Sequence, residues 1–148
     1  MWDQMLLGIQ TAFTLQNMLF AGLGCFIGTI IGMLPGLGPM SVVAIMIPVS
    51  IQIGDPSTTL ILLAGVYYGA IFGGSTSSIL INAPGEAAVV ATSFDGYPMA
   101  RKGQAGKALT IAAISSFSGG TIGAIFLMGF APALASLPSF SGPRNTLP

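Results

Sequence analysis

The sequence predicts an all-α integral membrane protein, and three observations lead to that prediction. Only 5% of the 148 residues are charged and 53% are hydrophobic, whereas ordinary globular proteins carry roughly 25% charged residues. The charged residues are separated by uncharged stretches, of which the longest three contain 51, 36 and 30 residues. Because about 20 apolar residues cross a bilayer as a helix, each stretch can hold at least one crossing. Proline and glycine also interrupt two apolar runs, which predicts transmembrane helices with two broken or re-entrant segments.

The composition excludes several classes of function. Four acidic and four basic side chains cannot cover a soluble 15.0 kDa protein, which argues against a soluble enzyme, a nucleic-acid-binding protein and a disordered tail. The chain has no histidine and its single cysteine is Cys25, so we expect no disulfide within the chain, no His/Cys metal site and no organic cofactor. No nucleophile–base pair lies in an apolar segment, and we therefore expect no enzymatic activity.

Glycine spacing predicts which helix faces pack closely. The chain starts with a short amphipathic segment, residues 1–16, in which Trp2 suits the membrane interface. Strong apolar runs follow at residues 18–34 and 58–74. In both runs glycine recurs at every fourth position, which leaves a smooth stripe where another helix can approach. These glycines are Gly24, Gly28 and Gly32 in the first run and Gly65, Gly69 and Gly73 in the second.

The first interruption lies in the sequence Leu-Pro-Gly-Leu-Gly-Pro, residues 34–39. Its two prolines and two glycines would cost a continuous helix roughly 8 kcal/mol relative to alanine, so the helix should end there. Pro39 fits the first position of a new helix, residues 40–53, with Gly38 as its cap. The beginning of that helix would present free amides and about half a positive charge at the break.

The second interruption is Asn82–Glu86, at the end of the apolar run that begins after Asp55 or Ser57, each a plausible helix cap. Four hydroxyl residues, numbers 75–78, precede it. Such hydroxyls either bond back to the preceding turn of their own helix or contact a ligand.

Residues 87–107 form the most polar part of the chain. The sequence Asp95-Gly96-Tyr97-Pro98 predicts a turn. Arg101, Lys102 and Lys107 follow it, and the positive-inside rule places this region in the cytoplasm. Another crossing is expected over residues 108–131.

Paired interruptions of apolar helices indicate a solute-binding site of a transporter, because backbone groups freed at membrane depth must line a polar cavity. Ordinary loops at the membrane surface are the alternative. No arginine or lysine lies near either break, so an anionic ligand would be held by helix N-termini, amides and hydroxyls, with sodium ions supplying compensating charge. The candidate substrate- or ion-binding residues are Pro35, Gly36, Gly38, Pro39, Gly74, Ser75, Thr76, Ser77, Asn82, Pro84 and Gly85.

Three sequence blocks resemble a known family. They are GTIIGMLPGLGP at residues 28–39, YYGAIFGGSTSSILINAPGEAAVVAT at residues 67–92, and FDGYPMARKGQAGKAL at residues 94–109. In order and spacing they resemble the N-terminal part of the large permease subunit of tripartite tricarboxylate transporters, the TctA family. The likeness covers about residues 1–135, whereas residues 136–148 read as a tail outside the family, disordered or frameshifted.

The resemblance implies a multi-pass protein of the bacterial inner membrane that is the first half of an inverted-repeat secondary transporter. It further implies symport of citrate-like tricarboxylates or related organic anions with sodium or protons, together with a small membrane subunit and a periplasmic solute-binding protein. Ser75, Thr76 and Asn82 are the candidate sodium ligands. Because the family's large subunit is several times longer, the alternative is a non-transporting remnant or a membrane fragment that packs through its glycine faces.

Overall fold

A computed structural model describes residues 2–136 of the chain, and the side chains of residues 6–130. Most of this part is helical and it contains no strand, which confirms the all-α prediction. The described residues divide after Ala112 into two compact units. The helices are α1 (Trp2–Ala12), α2 (Leu15–Gly32), α3 (Pro39–Ile51), α4 (Pro56–Ile81), α5 (Ala87–Met99), a π-helical segment (Ala100–Gln104) and α6 (Ala105–Ser136).

Three helical stretches are long and apolar enough to cross a bilayer. They are Leu15–Gly32, Pro56–Ile81 and Ala87–Phe130, whereas α3 is apolar but shorter. At a rise of 1.5 Å per residue, α3 is only about 20 Å long. The chain therefore has the helices of a multi-pass membrane protein, with one helix too short to span the hydrocarbon alone.

The helix ends follow local sequence signals. Gly38 is the extended cap residue of α3 and Pro39 its first helical residue, as predicted. Asp55 caps α4, and its Oδ2 accepts the Thr58 N–H at 2.8 Å. This selects Asp55 over Ser57 as the cap.

Helices α2 and α4 pack through their glycines, which confirms the close approach expected of those faces. A β-carbon on Gly65 would lie 2.6 Å from the Ala21 carbonyl oxygen, closer than real contacts allow. The backbones thus touch with no room for a side chain. Gly24 faces Leu62, Gly28 faces Val66 and Gly32 faces Ala70. The residue numbers rise together on both helices, so α2 and α4 run in the same direction.

Helix α3 connects these two parallel helices along the chain and packs against α4. It ends where the Thr59 hydroxyl of α4 donates to the Ser50 carbonyl at 3.1 Å, so it runs opposite to α4. Its Val42 and Met46 pack on Val66 and Ala70 in the core of the first unit. Van der Waals contacts between these packed side chains hold α3 against α4.

At the second break, residues 82–86, the chain turns back along α4. Beyond Ile81 the chain reverses, and the Ala83 N–H donates to the Ser77 carbonyl at 3.5 Å. Gly85 then reaches the level of Gly74, where a β-carbon on Gly85 would lie 4.0 Å from the Gly74 Cα. From there α5 runs alongside the last turns of α4 and in the same direction.

The prediction of a turn at Asp95–Pro98 is wrong, because these residues lie inside α5. Gly96 is buried against Ile79 of α4, and a β-carbon on Gly96 would lie 2.7 Å from the Ile79 Cγ1. Packing of this face against α4 outweighs the local turn preference. The change of direction comes later, at Gly103 in the π-helical segment, whose φ of +77° favours glycine.

The basic residues Arg101, Lys102 and Lys107 are exposed around this kink, so the cytoplasmic loop predicted there is helical. Of the tail expected at residues 136–148, only Ser136, the last residue of α6, lies within the described residues.

Candidate functional site: where the two breaks meet

The first break is a compact turn between α2 and α3. The Leu34 N–H donates to the Ile31 carbonyl at 3.0 Å, and the Leu37 N–H to the Leu34 carbonyl at 3.2 Å. Gly36 follows with φ of +88°, a backbone conformation that L side chains rarely adopt. Pro35 and Gly36 are both exposed, and nothing lies within 4 Å of a β-carbon on Gly36. These two candidates therefore shape the turn at its outer side.

Gly38 and Pro39 lie on the inner side of the same break. Gly38 is half-buried and Pro39 is buried. The Gly38 carbonyl accepts the N–H groups of Ser41 and Val42 at 3.0 and 3.3 Å, which starts α3. The positive end of the α3 dipole is thus fixed at Gly38.

The two breaks lie against each other. A β-carbon on Gly38 would lie 3.9 Å from the Gly85 carbonyl oxygen and 3.9 Å from the Glu86 Oε2. A β-carbon on Gly85 would lie 3.5 Å from the Leu37 carbonyl oxygen and 3.8 Å from that of Gly32. We call this place the break junction; its residues are Gly32, Leu37, Gly38, Gly74, Gly85 and Glu86.

The break junction combines groups of opposite character. The N-terminus of α3 favours negative charge, whereas the carbonyl oxygens of Gly32 and Leu37 favour cations. The half-buried Glu86 is the cap residue of α5 but makes no capping hydrogen bond with its side chain. Its carboxylate lies instead beside the beginning of α3, a position that the sequence did not indicate.

The buried hydroxyls of residues 75–78 on α4 each lie within hydrogen-bonding distance of a backbone carbonyl of their own helix. Ser75 donates to Ile71 at 3.1 Å and Thr76 to Phe72 at 2.9 Å. Ser78 donates to Gly74 at 2.7 Å. Such hydroxyls have used their hydrogens, so only their oxygen lone pairs remain for a ligand. This arrangement suits a cation better than an anion.

Ser77 differs from its neighbours because it also contacts the second break. Its Oγ lies 3.0 Å from the Gly74 carbonyl and 3.0 Å from the Ala83 carbonyl. Asn82 ends α4 in the left-handed conformation, with φ of 54°, and is exposed, while Pro84 is half-buried. None of the described hydrogen bonds joins Asn82 to Ser75 or Thr76.

Another polar cluster lies near the start of α2 and α4 and was missed from the sequence. The Thr58 Oγ1 is 2.7 Å from the Asn17 Oδ1 and 2.6 Å from the Asp55 Oδ2. Asn17 and Thr58 are 4% and 3% exposed. Asn17 occurs at helical spacing with Leu6, Ile9 and Phe13, and a polar residue in such an apolar stripe was the available signal.

Comparisons with known proteins identify the family. The model of the tripartite tricarboxylate transporter TctA family matches residues 18–147. This range includes residues 136–147, which is most of the tail predicted to lie outside the family. A relative from Agrobacterium vitis, described as an uncharacterized 52.8 kDa protein in the TAR-I ttuC' 3' region, is 47% identical over 131 residues.

The alignment covers 88% of this chain but 26% of that relative, so the chain spans about a quarter of its length. No solved structure matches the chain. The family match, which extends over most of the chain and includes both breaks, shows that this protein belongs to the tripartite tricarboxylate transporter TctA family.

Proposed function

We propose that the chain is part of a permease subunit that carries citrate-like tricarboxylates, or related organic anions, across the bacterial inner membrane. Transport would be driven by a sodium or proton gradient. A small membrane subunit and a periplasmic solute-binding protein would complete the system, as tripartite family membership implies. No covalent chemistry is required.

The break junction is the observation that carries this proposal. Two interrupted segments, far apart along the chain, converge so that Gly38 at the N-terminus of α3 lies beside Gly85 and Glu86. Broken helices at membrane depth are tolerated where they are buried in protein or line a polar cavity. Transporters place substrates and coupling ions at such helix ends near the interface of two repeats.

Different groups at the break junction suit ligands of opposite charge. The N-terminal end of α3 suits a carboxylate of the substrate. The hydroxyls of Ser75, Thr76 and Ser77 already donate their hydrogens to backbone carbonyls and offer only oxygen lone pairs, which suits a sodium ion. Asn82, from the end of α4, would complete the sodium ligands after a local movement.

The glycine faces do not favour the alternative of a membrane fragment that binds partners through them. Gly24, Gly28 and Gly32 of α2 are already covered by α4, and the glycines of α4 by α2. These faces serve the internal packing of the chain.

Uptake of labelled citrate tests the proposal through a matched pair of substitutions. Cells would express the two partner subunits with a full-length large subunit that carries this sequence. Gly38→Leu should reduce uptake at least tenfold, because the new side chain fills the break junction beside Glu86. Gly22→Leu should retain uptake, because Gly22 is exposed and nothing lies within 4 Å of a β-carbon there.

Both variants should insert into the membrane to the level of the unmodified protein, as measured by immunoblotting of membrane fractions. Undiminished uptake by Gly38→Leu would exclude a binding role for the junction. Uptake that depends on neither sodium nor pH would exclude ion coupling.

A further inference from the structure

Three backbone carbonyls at the break junction accept none of the described hydrogen bonds. They belong to Gly32, Leu37 and Gly85. Gly32 is buried, while Leu37 and Gly85 are half-buried. Because buried carbonyls are normally paired with protein groups, water or an ion, these three oxygens remain open to a ligand.

The local sequence of the breaks explains why these carbonyls lack a partner. Pro35, three residues after Gly32, has no N–H to donate. The amides four residues after Leu37 and Gly85 each donate to the next carbonyl along the chain instead, at 3.0 and 3.3 Å. Gly32 is also the last residue of α2, so its carbonyl lies at the negative end of that helix dipole.

The Glu86 carboxylate joins these carbonyls where the two breaks meet. A β-carbon on Gly38 would lie 3.9 Å from both the Glu86 Oε2 and the Gly85 carbonyl oxygen. A β-carbon on Gly85 would lie 3.5 Å from the Leu37 carbonyl oxygen and 3.8 Å from that of Gly32. We call these four atoms the junction oxygens: the carbonyl oxygens of Gly32, Leu37 and Gly85, and Glu86 Oε2.

Among the described residues, no cationic side chain lies close to Glu86 along the chain or on the helices around it. Helices α2, α3 and α4 carry no charged residue. Arg101, Lys102 and Lys107 follow the far end of α5, about 20 Å along that helix from Glu86. The negative charge at the break junction therefore has no counter-charge from these parts of the protein.

The junction oxygens have the chemistry of a site for a small hard cation. Three carbonyls and one carboxylate are oxygen donors, and unwound carbonyls and helix C-terminal ends coordinate sodium in broken-helix transporters. The set carries a single negative charge, which one monovalent ion balances. A divalent ion would leave a net positive charge inside the protein, which is costly.

We propose that the junction oxygens bind a sodium ion and that Glu86 is its charged ligand. This position is separate from the hydroxyls of Ser75, Thr76 and Ser77 on α4. The role of the ion in transport rests on the function proposed above, whereas its binding does not.

The position of Glu86 also links the ion to the substrate. The N-terminus of α3 attracts carboxylates, so the Glu86 carboxylate and a substrate carboxylate compete for the same helix end. A sodium ion on Glu86 neutralises the competing charge and leaves this helix end to the substrate. Each ligand then raises the affinity for the other by the same factor, because coupling between binding sites is reciprocal.

A sodium titration of the full chain in detergent micelles tests the ion site without substrate. Sodium chloride replaces choline chloride at constant ionic strength, and the thermal unfolding midpoint is measured. Sodium should raise the midpoint by a few degrees, because it binds the folded state. An equal rise with potassium would overturn the assignment to sodium.

Three variants locate the ion. Glu86→Gln keeps the side-chain shape without the charge and should raise the half-saturating sodium concentration at least tenfold. Glu86→Asp keeps the charge on a shorter side chain and should give an intermediate value. Asp95→Asn removes an exposed carboxylate on α5 and should respond like the unmodified protein.

An unchanged sodium response in Glu86→Gln would overturn the proposal. So would a response that is lost in Ser75→Ala but kept in Glu86→Gln, because the ion would then lie at the α4 hydroxyls. A midpoint that follows pH and not sodium would also overturn it, since a proton would then neutralise Glu86.

Citrate uptake by the full-length large subunit separates this proposal from the transport function. Uptake by the Glu86→Gln variant should no longer rise with sodium concentration, whereas uptake by Asp95→Asn should rise as in the unmodified protein. If no citrate is taken up while the unfolding midpoint still depends on sodium through Glu86, the ion site is supported and the transport function is refuted.

Discussion

At the scale of single residues, hydroxyl groups that look alike in sequence have different structural roles. Ser77 and Ser78 are both buried, and both lie within hydrogen-bonding distance of the Gly74 carbonyl. Only Ser77 also reaches the Ala83 carbonyl, across the reversal of the chain at the second break. The Ser77 side chain therefore holds the returning segment to α4, whereas Ser78 acts within its own helix.

Replacing each serine by alanine should separate these two roles. Ser77→Ala should lower the free energy of unfolding by about 1 kcal/mol and leave a buried acceptor weakly satisfied. It should also increase amide hydrogen exchange in residues 82–86. Ser78→Ala removes a bond inside one helix and should leave exchange in that segment unchanged. Equal exchange in the two variants would contradict the role given to Ser77.

At the scale of secondary-structure elements, the pairing of α2 with α4 depends on glycine at matched positions. The helices run in parallel, and the glycines of each face the backbone of the other. This geometry allows van der Waals contact and close approach of backbones, which drive helix association where lipid supplies no hydrophobic force. The pair forms the frame that places both breaks at the same level.

A single methyl group should disturb this frame. A β-carbon on Gly28 would collide with the Val66 carbonyl of α4. Gly28→Ala should therefore destabilise the protein by about 2 kcal/mol, as measured by unfolding in mixed micelles. Gly22→Ala, on an exposed face of the same helix, should be neutral or stabilising by up to ~1 kcal/mol, since alanine favours helix.

If Gly28→Ala proved as stable as Gly22→Ala, the interlocked packing of α2 and α4 would be refuted. The comparison is internal to α2, so differences in helix propensity cancel.

At the scale of the whole molecule, the fold brings Gly38 and Glu86, 48 positions apart, into contact. A β-carbon on Gly38 would lie 3.9 Å from the Glu86 Cβ, close to the roughly 3.8 Å typical of disulfides. We expect Gly38→Cys combined with Glu86→Cys to form a disulfide on mild oxidation, in a Cys25→Ala background that removes the native thiol. Mass spectrometry of the linked peptides measures it.

Gly36→Cys with Glu86→Cys is the control, since Gly36 belongs to the same break but its β-carbon position is open. It should cross-link far more slowly. Equal rates for the two pairs would mean that the breaks do not meet as described.

Local chemistry was enough to predict the apolar helices, the first break and the cap of α3, and it narrowed the cap of α4 to Asp55 or Ser57. Two prolines and two glycines cost a continuous helix roughly 8 kcal/mol, which predicted a break within residues 34–39, and α2 and α3 are indeed separate helices. The close packing of the glycine stripes was likewise predictable, because four-residue spacing places them on one face.

Contacts between distant segments decided the rest. Gly96 stays helical, against the local turn signal of Asp95–Pro98, because α5 buries that face on Ile79 of α4. The meeting of the breaks, the position of Glu86 beside α3 and the link from Asn17 to Thr58 all arise from the parallel register of α2 and α4. Register depends on which backbones interlock, and a pattern of residue types along one helix carries no information about its level on another.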